Sequence, residues 1–182
     1  MASYSNFQRQ SRKMALCGMM TALSAAVLSG GSLIPMATIA SPMLAMLCLL
    51  PILHDWGTKY ALMVYAASAV LALLLCADKE LALYYAFLGW YPALRPRLDP
   101  LPRPVRVLLK CAIFTLDMTA MYLLIIFLFR LEAVVEEFAG YSAFMLALLV
   151  VLGNVSFLLL DVLLLRVSVL YARWRKRRDK YS

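Results

Sequence analysis

The sequence is poor in charge and nearly devoid of histidine. Only 15% of its residues are Asp, Glu, Lys or Arg, and His54 is the single histidine. Soluble domains carry about a quarter charged and about half apolar residues, whereas 64% are apolar here. A larger core does not explain the excess, because the apolar residues fall in long blocks with short charged punctuation. The chain also lacks a Gly-rich phosphate loop, metal-ligand spacing and a nucleophile motif. Nothing in it has the pattern needed to hydrolyse ATP. The expectation is a protein that is not an enzyme, with no cofactor and no metal. His54 beside Asp55 reads as a solvated turn. Cys17, Cys48, Cys76 and Cys111 match no zinc or redox spacing and read as small packing residues.

What the sequence does have is apolar blocks of membrane-spanning size. A helix needs roughly 20 apolar residues to cross the hydrocarbon layer. Blocks at 14–33, 37–53, 59–76, 81–94, 105–129 and 141–170 use nearly all of the 182 residues. The expected fold is an all-α integral membrane protein, a bundle of about six transmembrane helices with cytoplasmic N- and C-termini. Residues 1–13 form a cytoplasmic segment, 14–172 the membrane domain, and 173–182 a basic tail expected to fray. The first block is too long for a signal-peptide core and is read as a retained span. Gly30, Gly31 and Pro35 end it. Pro42 and Pro51 predict a kink or a late start in the second. The fourth is short and aromatic and ends at 92–96. Residues 95–106 hold four prolines and four arginines and cannot be a membrane helix.

Orientation follows from the basic residues, which favour cytoplasmic loops. With the N-terminus inside and six spans, all but Lys79 and Arg130 of the 18 Lys and Arg fall inside. The net charge of +8 is therefore placed to meet anionic lipid headgroups. No nucleic-acid motif accompanies it, and no nucleic-acid partner is expected.

Three constellations stand out. Gly18, Ala22, Ala26 and Gly30 recur every fourth residue and line one face of the first span. Such a stripe lets another helix approach closely; it is either a docking face for a partner or packing within this bundle. Asp117, Asn154, Asp161 and Arg166 lie at membrane depth, where polar groups need partners. Asp161 and Arg166 read as a structural polar pair. For Asp117 and Asn154 a ligand site and a structural network between the fifth and sixth spans are both open. The third is the outer rim, where Ser32, Thr38, Tyr84 and Tyr85 would suit a small, partly apolar ligand. The acidic loop with Glu132, Glu136 and Glu137 reads as solvated.

The run from Arg12-Lys13-Met14-Ala15-Leu16-Cys17-Gly18 to Ser24, with Ile34-Pro35 after it, resembles the start of substrate-binding S components of energy-coupling factor (ECF) transporters. The closing Leu152-Gly153-Asn154-Val155, through Asp161 to Tyr171 and the basic tail, is similar to bacterial members of that group. The resemblance implies a six-helix subunit of the bacterial plasma membrane that captures a vitamin or other small nutrient outside. It implies a transmembrane coupling subunit and two ATPase subunits as partners, and no catalytic site. The family docks through two alanines four apart in its first helix. Gly18 with Ala22, or Ala22 with Ala26, matches that spacing, with Gly as a departure. The implied ligand pocket lies under the loop after the first helix, here residues 30–41. No vitamin-specific fingerprint is present, so the substrate stays open. A different class, a non-transporting scaffold such as a rod-shape-determining cell-wall subunit, fits the same size and span number. A third, a membrane enzyme acting on lipid, would use Asp117 and Asp161.

Overall fold

The computed structural model describes residues 2–34, 37–100, 102–125 and 142–181. Among them there are eight helices and no strand: α1 Ala2–Gly31, α2 Ala40–Leu47, α3 Leu50–Trp56, α4 Thr58–Leu75, α5 Lys79–Leu88, α6 Tyr91–Leu98, α7 Arg103–Leu124 and α8 Ala143–Tyr181. Four stretches are long and apolar enough to cross a membrane: Gln10–Gly31, Thr58–Leu75, Pro104–Leu124 and Phe144–Arg177. The second and fourth expected spans are shorter and broken. Pro35, Arg130, the acidic loop and Tyr141 lie outside the described residues.

The break in the second stretch has a plain cause. Pro51 is the second residue of α3 and has no N–H to continue the ladder from α2. The backbone tightens before it, with Cys48 N donating to Ala45 O (3.1 Å) and Leu49 N to Met46 O (3.2 Å). α3 ends at Gly57, whose φ of 85° and ψ of −178° belong to a region that only glycine occupies freely. α4 starts at the next residue.

The chain divides into two compact units, Met1–Pro96 with Leu164–Ser182, and Arg97–Leu163. In the first, α1 packs mainly on α4 and α2, and α5 packs on α2 and α4. Its core gathers Leu49, Ile52, Ala61 and Val64, with Leu16, Cys17, Met20 and Trp56 against them. At one end of this unit Lys13 lies over the Tyr60 ring, 5.6 Å from its centroid, so α1 and α4 run in the same direction. α2 and α3 must then return along the unit between them. At the opposite end Gly31 abuts Ser41. The broken α2–α3 helix therefore traverses the whole unit despite its short pieces.

Gly31 is where α1 and α2 come closest. A Cβ built there would stand 1.8 Å from Ser41 Oγ and 2.4 Å from Ser41 Cβ. Gly31→Ala must push the helices apart. The expected loss is about 1–3 kcal/mol, the usual cost of overpacking, read as an earlier unfolding midpoint in detergent.

Two expectations are corrected. The chain does not break at 92–96, because α6 runs through it with Pro92 as its second residue and Pro96 inside. Pro92 has no helical N–H bond to lose, and Pro96 removes one bond from an eight-residue helix. The tail from 173 onward is helical, because α8 continues to Tyr181. Arg and Lys are good helix formers, and their charge suits a helix C-terminus. A contact with α3 also holds it. Tyr171 Oη donates to Asp55 Oδ2 at 3.0 Å, and Arg175 is ion-paired with Asp55. Asp55 is thus a helix-to-helix anchor, not a solvated turn residue.

The second unit holds α7 and the first half of α8. Phe114 and Phe157 stack between them with centroids 4.8 Å apart. Gly153 leaves room for Phe114, whose ring would be 3.2 Å from an added Cβ.

Candidate functional site

α1 carries two faces of opposite character. Ser24, Ala25, Leu28 and Gly31 are buried, and Ser24 Oγ reaches Ala45 O of α2 at 3.5 Å. At about 100° per residue, Gly18, Ala22, Ala26 and Gly30 fall on the other side, and all four are exposed. A Cβ added at Gly18 or Gly30 would meet nothing within 4 Å. Among the described residues the small-residue stripe is thus left on the exposed side of α1.

The loop after α1 is fastened to the α4–α5 turn. Ala77 N donates to Ser32 Oγ at 3.3 Å, and Ser32 Oγ donates to Ser29 O at 2.7 Å. Thr38 Oγ1 donates to Asp78 Oδ2 at 3.3 Å. The other oxygen of Asp78 caps α5, accepting from Glu80 N (2.9 Å) and Leu81 N (3.3 Å). Lys79 Nζ turns back to the last carbonyls of α4, Leu73 O at 3.0 Å and Cys76 O at 2.9 Å. Ser32 and Thr38 are thus brought together at the end of the unit remote from Lys13.

Tyr84 and Tyr85 part company. Tyr84 is half-buried on α5. Tyr85 is fully buried, and its hydroxyl lies 2.8 Å from Ser68 Oγ of α4. Ser68 Oγ also donates to Val64 O or Tyr65 O (2.8 and 3.0 Å), and Tyr65 Oη donates to Ala86 O. Tyr85 serves the α4–α5 contact.

In the second unit the polar residues bridge α7 and α8. Lys110 Nζ donates to Asp161 Oδ2 at 2.7 Å, with Asp99 at 3.9 Å from the same nitrogen. Arg166, read from the sequence as a structural polar pair with Asp161, follows it by five residues on α8 and is exposed. Asn154 Nδ2 donates to Val150 O (2.9 Å) and Thr115 Oγ1 (3.3 Å), while its Oδ1 is buried without a partner. A shallow groove of about 670 Å³ runs beside this pair, lined by Leu108, Cys111, Thr119, Val151 and Leu158 among others. It is apolar but for the two threonines and the asparagine. Asp117 lies outside the groove, half-buried, and among the described residues no hydrogen bond or ion pair reaches it.

The six candidate ligand residues are divided between the two units. Ser32, Thr38, Tyr84 and Tyr85 belong to the first unit, Asp117 and Asn154 to the second. Sequence reasoning missed the partners of Lys110, which it counted only among the basic residues on the cytoplasmic side, and the partners of Asp55. The seven-residue spacing of Asn154 and Asp161 did signal one shared face of α8. Among the described residues no group of His, Cys, Asp and Glu could hold a metal ion. No protein-family model, no curated protein and no solved structure matches the chain.

Proposed function

We propose that this chain is a substrate-binding membrane subunit of the S-component kind, which captures a small nutrient and docks on the coupling subunit of an ATP-driven importer. The observation that carries the reading is the open stripe Gly18-Ala22-Ala26-Gly30. These residues match the docking spacing and are left unused while the opposite face of α1 packs. Small residues on a free helix face are what a second membrane helix needs for close approach. The fastening of the loop at 30–41 onto the α4–α5 turn through Ser32 and Thr38 is also in keeping with a roof over an outward pocket. In this reading the chain performs no catalysis and both termini are cytoplasmic.

A native mass spectrum of the freshly purified protein tests this. The expected result is a small molecule released on denaturation, together with a complex of the chain, a coupling subunit and ATPases. Stable cell-wall synthesis partners and no small molecule would support the scaffold reading instead.

A further inference from the structure

We infer that the end of the first unit carrying Asp55 is a binding surface for anionic phospholipid headgroups, built around the C-terminal turns of α8. The inference is independent of the transport reading.

It rests on how α8 is held. Asp55 takes the Tyr171 hydroxyl and the Arg175 guanidinium. The His54 ring lies 5.7 Å from that of Tyr171, and the Trp174 ring lies 6.2 Å from it. At about 100° per residue, Tyr171, Trp174 and Arg175 share one side of the helix. Arg173, Lys176 and Arg177 fall on the opposite side, and all three are exposed. The clasp on Asp55 thus fixes the rotation of α8 and turns these charges outward. Lys13 and Lys59 come from other elements at the same end: Lys59 opens α4 two residues past Gly57, and Lys13 lies over the neighbouring Tyr60.

Depth decides between partners. Val169 and Leu170 are exposed apolar residues on the same continuous helix. With a rise of 1.5 Å per residue, Arg173 to Arg177 follow Leu170 by about 5–10 Å. Charges one to two turns past lipid-facing residues stand at headgroup level, where basic side chains meet anionic lipid. Trp174 is 56% exposed beside them, the residue type enriched at that boundary. A nucleic acid or an acidic protein would need no such neighbouring apolar surface.

The test uses the full chain in phosphatidylcholine vesicles containing phosphatidylglycerol, with one or the other lipid brominated. The signal is quenching of Trp174, taken as the difference from Trp174→Phe. Brominated phosphatidylglycerol should be enriched at Trp174 at least about fivefold over brominated phosphatidylcholine. The R173Q/K176Q/R177Q variant, altered only at exposed positions, should bring the ratio close to one. So should about 1 M salt on the unaltered protein, which shortens screening to about 3 Å and needs no variant to fold. A ratio near one in the unaltered protein at low salt would overturn the inference. So would a preference that survives both salt and the triple substitution. Binding of a single-stranded oligonucleotide lost in the triple variant, with no lipid preference, would overturn it in favour of nucleic acid.

Discussion

Lys110→Met is expected to destabilise the protein by about 3–5 kcal/mol, the cost of removing one partner from a buried ion pair. Lys110 has 3% of its side chain exposed and Asp161 15%, with 2.7 Å between their charged atoms. Methionine fills the space of the lysine stem but leaves the Asp161 carboxylate facing an apolar side chain. The loss comes from taking the ammonium partner away from that carboxylate, not from lost packing. The double variant Lys110→Met with Asp161→Leu removes both charges and should recover most of the stability, because the pair as a whole offsets little more than its own desolvation. Unfolding in mixed micelles of native and denaturing detergent measures both. A double variant as unstable as the single one would show that the pair does more than neutralise itself. Loss of the weaker Asp99 contact, at 3.9 Å and on a more exposed carboxylate, should matter much less.

This ion pair also shows where sequence reading stops. Lys110 follows a run of prolines and arginines, so it reads as one more basic residue at a cytoplasmic boundary. The meeting of α7 with α8, 51 residues apart in sequence at this bond, gives it its close partner. Asp55 is a similar case, since its bond to Tyr171 spans 116 residues. Local composition made it a turn residue, and the long continuation of α8 made it an anchor. Features set by local chemistry were legible. The four long apolar helices follow from block length, and the break between α2 and α3 follows from Pro51. The small-residue stripe on α1 was legible as a spacing, but its use was not. Ser24, Ala25 and Gly31 are nearly as small as Gly18 and Ala22, so composition alone does not say which face packs. The contacts with α2 and α4 decide it. The fourth expected span came out as α5 and α6, and Gly89 between them leaves room for the Tyr65 ring. A Cβ at Gly89 would stand 2.7 Å from that ring and 2.5 Å from Tyr85 O.

In the proposed docking, Ala22→Trp is expected to lower the association of this chain with a coupling subunit by about a hundredfold, or roughly 3 kcal/mol. Ala22 sits between Gly18 and Gly30 on the face of α1 that meets nothing within its own unit. An indole there costs the isolated protein little, since lipid accommodates it. Against a partner helix it holds the two backbones apart, and association that depends on close packing fails. Val70→Trp is the control, because Val70 is 57% exposed on α4, a different helix from the one that carries the stripe. The most direct measurement is co-purification of the coupling subunit and its ATPases with the unaltered chain, the Ala22→Trp chain and the Val70→Trp chain, with thermal stability read on each. Equal stability in all three, with the coupling subunit lost only from Ala22→Trp, is the predicted result; undiminished association of a stably folded Ala22→Trp chain would contradict the docking role of α1.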